Sequence, residues 1–336
     1  MSHLVRTVVA MCLVAVASAP AFAWSKAGHQ TTGAIAYRVL KKESPGTIPK
    51  VVAILRKHPY FTEAHRGINN KLSSWEDTCR GLTEDEQNEF LFMMACRWAD
   101  DSRPDVKFYP KSDRVEAQHY INRPFKPAGQ PDTVKLVEPD EINIIRGFSE
   151  RLTKFKTATT DADRAVAMCF VMHFIGDAHQ PLHTVSLCTT EFQVVDNGKQ
   201  VGDRGGTRFM VRGSEGGRPI NLHYFWDGLI TNEEDFRKNQ QVAIALLDPK
   251  LNPDFAKEKF ADALAVTDFE RWIDESFQLV PKAYYFNDKL LSGSIENANA
   301  GVLPEGYSKA VQPIGFKRGV LAGYRIAYTL KDVLGN

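Results

Sequence analysis

No field of either charge dominates this sequence: 42 Lys and Arg stand against 41 Asp and Glu among 336 residues, a formal net charge of +1. A polybasic surface for nucleic acid is thereby excluded, and any such partner has to be held by a local site. Linkers, low-complexity tracts and internal repeats are missing as well, so nothing divides the chain and one domain with long loops is expected. Apolar stretches of spanning length are also lacking. The most apolar one, Thr7 to Val16, falls well short of the roughly 20 residues a membrane helix requires. No Asn-x-Ser/Thr sequon occurs, a hint against a glycosylated eukaryotic protein. Cysteine is scarce, with five in all, and none has zinc-finger spacing.

The short apolar stretch has another reading. Arg6 precedes it, small residues follow, and Ala21-Phe22-Ala23 fits the cleavage rule of a signal peptidase. Residues 1–23 are expected to be a signal peptide cut between Ala23 and Trp24, leaving 24–336 as the folded domain, periplasmic or secreted. Cys12 leaves with the leader. The remaining Cys79, Cys96, Cys169 and Cys188 form an even set in an exported protein, which predicts two disulfides with three possible pairings. Buried free thiols are the plain alternative, most apt for Cys169 in its apolar surroundings.

What the chain does have is concentrated. His173-Phe-Ile-Gly-Asp177-Ala-His179-Gln-Pro-Leu-His183 packs three histidines and a carboxylate into eleven residues, at the end of the apolar helical run Ala165 to Met172. Asp161 and Asp163 supply acid for that helix's first turn. His173 and Asp177 are four apart, so they share a helix face and can share an ion. Pro181 ends the helix and turns His183 back. One buried histidine alone would be an ordinary hydrogen-bonded core residue. Several ligand-type side chains entering an apolar helix together each need a buried partner, and a metal supplies one to all of them.

Around this stretch the pattern is helical: Trp24 to about Leu40 with Ile35, Val39 and Leu40 on one side, Ile48 to Lys57, a helix opened by the capping box Thr83-Glu-Asp-Glu86 and closed by Pro104, and Pro139 to Phe155. Further helices are expected at about 254–264, 267–283 and 305–333. Residues 115–124 look extended. Asn197-Gly198 and Gly216-Gly217 mark turns, and the Gly-rich 190–220 reads as a loop with a short β-hairpin. The class is all-α.

His223 and Asp227 repeat the i, i+4 pairing, while Asp100, His119 and His29 are further candidates. Singly, Asp100 reads as a solvated helix-end carboxylate and His29 as a surface residue. Together they make the imidazole and carboxylate set that zinc accepts.

At this density the sequence resembles the class I single-strand nucleases, trinuclear zinc enzymes that share a single helical fold with zinc-dependent bacterial phospholipase C. The resemblance runs over the whole chain from Trp24 and rests on Trp24 with His29, Trp98-Ala-Asp100-x-x-Arg103, His119-Tyr120, HxxxDxxxxxH at 173–183, Gly202-Asp-Arg-Gly-Gly206 and His223-x-x-x-Asp227. It implies three Zn2+: one on Asp100, His119, His173 and Asp177, a second on His183, His223 and Asp227, and a third on the amine and carbonyl of Trp24, His29 and a shared oxygen of Asp177. The leader's removal would create the amine ligand, which must lose a proton to bind.

The same resemblance implies hydrolysis of single-stranded DNA and RNA at the P–O3′ bond to 5′-nucleotides, often with 3′-nucleotidase activity. Asp100 would orient the attacking water as well as ligate, and Arg103 would neutralise charge at phosphorus. A surface salt bridge with Asp101 or Asp105 is the alternative for Arg103. Tyr120 would stack on a base, or else fill a core gap. Asn122 stands where relatives usually carry a base-binding Asp, which leaves base preference open. Ser25 and Thr207 are further departures, replacing Gly and Asn. His179 has no place in the ligand count and is either an orienting group or core packing; His58 and His65 receive no role. The rivals are phospholipase C of the same fold, whose last carboxylate is usually Glu where this chain has Asp227, and a non-catalytic exported zinc-binding protein.

Overall fold

A computed structural model describes residues 24–66 and 71–335. The expected signal peptide lies outside the described residues. The architecture is mainly helical, with short strands in pairs and one group of three. No helix among the described residues is long and apolar enough to cross a membrane.

The helix Asp161–Ala178 is the axis of the molecule. Thr160 caps it, accepting from Asp163 N, and every residue from Ala165 to Ala178 is buried. An element apolar on all sides has to be wrapped, since no face of it can meet water favourably. It is wrapped by Glu84–Asp101 and Ile144–Thr157, and the N-terminal helix Lys26–Glu43 packs in turn on Glu84–Asp101 and on the C-terminal helix Tyr307–Leu334. Small residues permit this closeness. A Cβ at Gly33 would sit 2.5 Å from the Phe92 carbonyl oxygen, so the two backbones meet there with no room for a side chain. The N-terminal helix is accordingly buried nearly all round from Ala27 to Leu40, with Arg38 the exception, rather than on the single stripe its sequence predicts.

Among the described residues two main apolar cores result, beside a minor cluster of Val134, Val137 and Cys188. The larger surrounds the central helix and includes Phe92, Trp98, Phe170 and Phe174. The smaller gathers Trp24, Leu182, Trp226, Tyr284 and Tyr307. The lower end of the central helix, carrying His173 and Asp177, lies between the elements that build them.

Several sequence expectations hold locally. The Thr83–Glu86 capping box is formed in both directions. Asn197 and Gly198 take positive φ, 49° and 76°, and close the hairpin of Val195–Asp196 with Lys199–Gln200. Other boundaries move. The fourth expected helix starts at Ile144, because Asn143 accepts from Ile145 N and Arg146 N and is the true cap. Residues Val115–His119 are a 3-10 helix, and extended backbone begins only at Tyr120. A helix at Phe236–Leu247, capped by Asp235, went unread because its first half is polar. The disulfide expectation is corrected: Cys79, Cys96, Cys169 and Cys188 are all free and buried. Their apolar surroundings make packing the role of these thiols.

Candidate metal centre

All eight side-chain candidates converge, and they come from six elements. The helix Glu84–Asp101 brings Asp100 at its end, the 3-10 turn Val115–His119 brings His119, and the N-terminal helix brings His29. His173 and Asp177 come from the central helix, and Pro181–Thr184 turns His183 back beneath it. His223 and Asp227 sit one turn apart on Leu222–Asp227, where Asn221 caps Tyr224 N. Burial is complete or nearly so for all of them.

They form three groups able to hold an ion: His29, His173 and Asp177; Asp100, His119 and His173; and His183, His223 and Asp227. His173 is shared by the first two, and Asp177, a member of the first, reaches His119 of the second. Asp177 Oδ1 lies 3.3 Å from both His29 Nε2 and His173 Nε2, and its Oδ2 is 2.9 Å from His119 Nδ1. His173 Nε2 is 3.7 Å from Asp100 Oδ1.

The ring tautomers decide what such a cluster can hold. His173 Nδ1 donates to the Cys96 carbonyl at 2.7 Å, His183 Nδ1 to that of His119 at 2.8 Å, and His223 Nδ1 to that of Gly205 at 2.6 Å. Each hydrogen is therefore on Nδ1, and each Nε2 turns a lone pair inward. The Tyr109 hydroxyl donates to the Ala99 carbonyl, so it can only accept from His119 Nε2, and His119 Nδ1 also presents a lone pair. Lone pairs then face lone pairs: His183 and His223 bring Nε2 within 2.9 Å of one another, and His119 Nδ1 stands 3.1 Å from His173 Nε2. Among the described residues neither nitrogen of His29 has a hydrogen-bond partner, nor does Asp177 Oδ1. Buried acceptors turned on one another are unfavourable unless a cation sits between them. The donor set fits zinc.

Burial shifts these groups as expected. It holds His29 and His119 well below the usual histidine value, with neighbouring cationic groups adding to the effect, and lowers His173. It pushes Asp177 well above the ordinary carboxylate value, with Asp100 adding repulsion, and does the same to Asp227. Histidines held neutral are ready to ligate, whereas the carboxyls need a cation to ionise.

Trp24 is buried beside the centre. Ser25 N donates to the Asp227 carbonyl at 2.9 Å, and the Ser25 hydroxyl, which also caps Gly28 N, donates to the Thr231 carbonyl. The departure at position 25 is thus a staple for the segment that holds Trp24. Arg103 reaches Asp100 Oδ1 at 2.9 Å, while Asp101 is taken by Arg97 and Lys26. Tyr120 and Asn122 are partly exposed just after His119.

His179 turns away. Its Nδ1 donates to the Ile175 carbonyl and its Nε2 accepts from Arg325, so it belongs to the core and orients no carboxylate of the centre. The supports that sequence reasoning missed are Tyr109, which fixes His119, and Gln180, whose amide donates to Asp227 Oδ1 at 2.8 Å. The Gly205 carbonyl is a third. Gln180 lay inside the dense motif, but Tyr109 carried no local signal.

Comparison with known proteins agrees with this geometry. A family model described as S1/P1 Nuclease matches residues 24–335. Among curated relatives, Endonuclease 2 of Arabidopsis thaliana is 27% identical over 262 residues, covering 71% of this chain and 77% of the relative. Endonuclease 4 of the same plant is 24% identical over 338 residues, covering 94% of this chain and 91% of that one.

Proposed function

The chain belongs to the S1/P1 nuclease family, and on that premise we propose that it is an exported, zinc-dependent phosphodiesterase cutting single-stranded DNA and RNA at the P–O3′ bond to 5′-nucleotides, with 3′-nucleotidase activity. It is a nuclease, a hydrolase of nucleic acid; the finer statement rests on the site. The observation that carries it is the inward set of lone pairs on His119, His173, His183 and His223, opposed to one another and to Asp177. Three Zn2+ would be held by Asp100, His119, His173 and Asp177; by His183, His223 and Asp227; and by His29, Asp177 and the amine and carbonyl of Trp24. Asp177, facing three histidines, would serve two of these sites.

Zinc would supply Lewis acidity there, bringing water's pKa towards neutrality and offsetting charge on the departing oxygen. The chain's own residues do the rest. Asp100 orients the attacking water with the oxygen not turned to Arg103. Arg103, steadied by Asp100, donates to the phosphate oxygens as charge builds on them. Tyr120 offers an aromatic face to an unstacked base, which suits low sequence preference, and Asn122 meets the base edge with both a donor and an acceptor. The deciding experiment sets single-stranded DNA against phosphatidylcholine for the protein beginning at Trp24, with and without EDTA. Chelator-reversible cleavage of DNA supports the reading. Hydrolysis of the lipid alone would move the protein to the phospholipase branch of the fold, and zinc with no turnover would make it a binder.

A further inference from the structure

Beside the centre lies a cleft of about 490 Å3, within the range of about 300–1,000 Å3 usual for small-ligand sites. We infer that this cleft seats the nucleotide next to the one whose phosphate is cut, with Lys111 and Arg114 holding its phosphate; the inference rests on the nuclease reading above. Its lining includes Arg103, which pairs with Asp100, and Tyr120, which follows His119, so it lies next to the centre. The protein as a whole is almost neutral, yet the charged lining here is Arg103, Lys111 and Arg114 against the single acid Glu116. This is the local basic site that the charge balance requires of a chain without a basic surface.

Two features fit a nucleotide rather than a simple anion. Val106 is 75% exposed at the cleft, whose lining also includes Pro104 and Pro110, giving an apolar surface against which a base can lie. Arg114 takes a left-handed backbone, φ 47° and ψ 41°, which is strained for any residue with a Cβ other than Asn or Asp. Glycine would suit that turn better. Keeping a long cationic side chain there is explained if the side chain is used. Its present partner, Asp140 at 3.3 Å, is an exposed pairing that contributes little and that a phosphate can replace.

The test uses the full chain from Trp24 and the variants Lys111→Ala, Arg114→Gly and the double. Binding of a fluorescein-labelled oligothymidylate in EDTA is followed by anisotropy against salt, and cleavage of the oligonucleotide is compared with hydrolysis of bis(4-nitrophenyl) phosphate, which has no second nucleotide. Each phosphate neutralised on a single strand contributes about 0.7 to the logarithmic salt slope, so the double variant, which releases that one phosphate, should lose about 0.7. Its KM for the oligonucleotide should rise about tenfold while kcat/KM on the small diester stays within twofold. Arg114→Gly should keep or raise the melting temperature, because the turn then relaxes. An unchanged slope and KM in variants of a wild type that cleaves the oligonucleotide would overturn the cleft and leave the nuclease standing. A lower melting temperature with unchanged slope would assign Arg114 to the fold and overturn it too. A wild type inactive on both substrates would remove both readings.

Discussion

Asp177 faces three imidazoles, from His29, His119 and His173, and no hydrogen-bond donor meets its Oδ1. Asparagine in its place would keep the shape but lose the charge that two ions are read as sharing. For Asp177→Asn, elemental analysis should find fewer than three zincs and the DNA assay no cleavage; full occupancy at the normal rate would end the bridging role. Arg103 pairs with Asp100 and is read as no metal ligand, so Arg103→Ala should keep its metals while turnover falls about 100- to 1,000-fold, the usual cost of one transition-state donor. Unchanged turnover would take it out of the mechanism. At this scale the sequence was informative where chemistry resides in the side chain. The ligand candidates stood out as polar residues in apolar context. Tyr109 and the carbonyls of Cys96, His119 and Gly205 did not, because they act by fixing a ring tautomer, and a backbone carbonyl has no letter.

Helices position these groups by contact, and Gly176 shows how tightly. A Cβ there would lie 2.8 Å from His29 Nδ1, and the His29 ring already stacks on His173 of the same helix with centroids 3.9 Å apart. Gly176→Ala should therefore displace His29, costing about 1–3 kcal/mol of stability by overpacking and one zinc of the three, both readable by denaturation and metal analysis. Three zincs with wild-type stability would show that the N-terminal helix can shift. Elements with explicit end signals, the Thr83 capping box and the Asn197-Gly198 turn, were legible in the chain. Phe236–Leu247 was not, since its capping Asp235 is followed by a polar half-turn and its apolar contacts are made with the distant N-terminal helix.

For the whole molecule, buried charge governs the response to pH. Asp203 folds the Gly202–Gly206 loop, accepting from Leu187 N, Gly206 N and the Tyr284 hydroxyl. Burial outweighs these donors and raises its pKa to about 6. A group raised on folding stabilises the fold below its unfolded value, near 3.8, and that contribution is lost as pH rises through 6. The loss is about 3 kcal/mol in order of magnitude. The stability of wild type relative to Asp203→Asn should therefore fall between pH 4 and pH 6; a constant difference across that window would mean that Asp203 is ionised throughout. The cysteines mark the limit of reading a whole chain from its composition. An even number in an exported protein predicts bridges, but Cys96 and Cys169 lie within the apolar core, where three-dimensional packing and not count decides their state.

The most direct measurement is the zinc stoichiometry of the protein beginning at Trp24, taken with its activity on single-stranded DNA before and after EDTA. The account requires three zincs per chain and cleavage that disappears with the chelator and returns with zinc. Cleavage that persists in metal-free protein would contradict it.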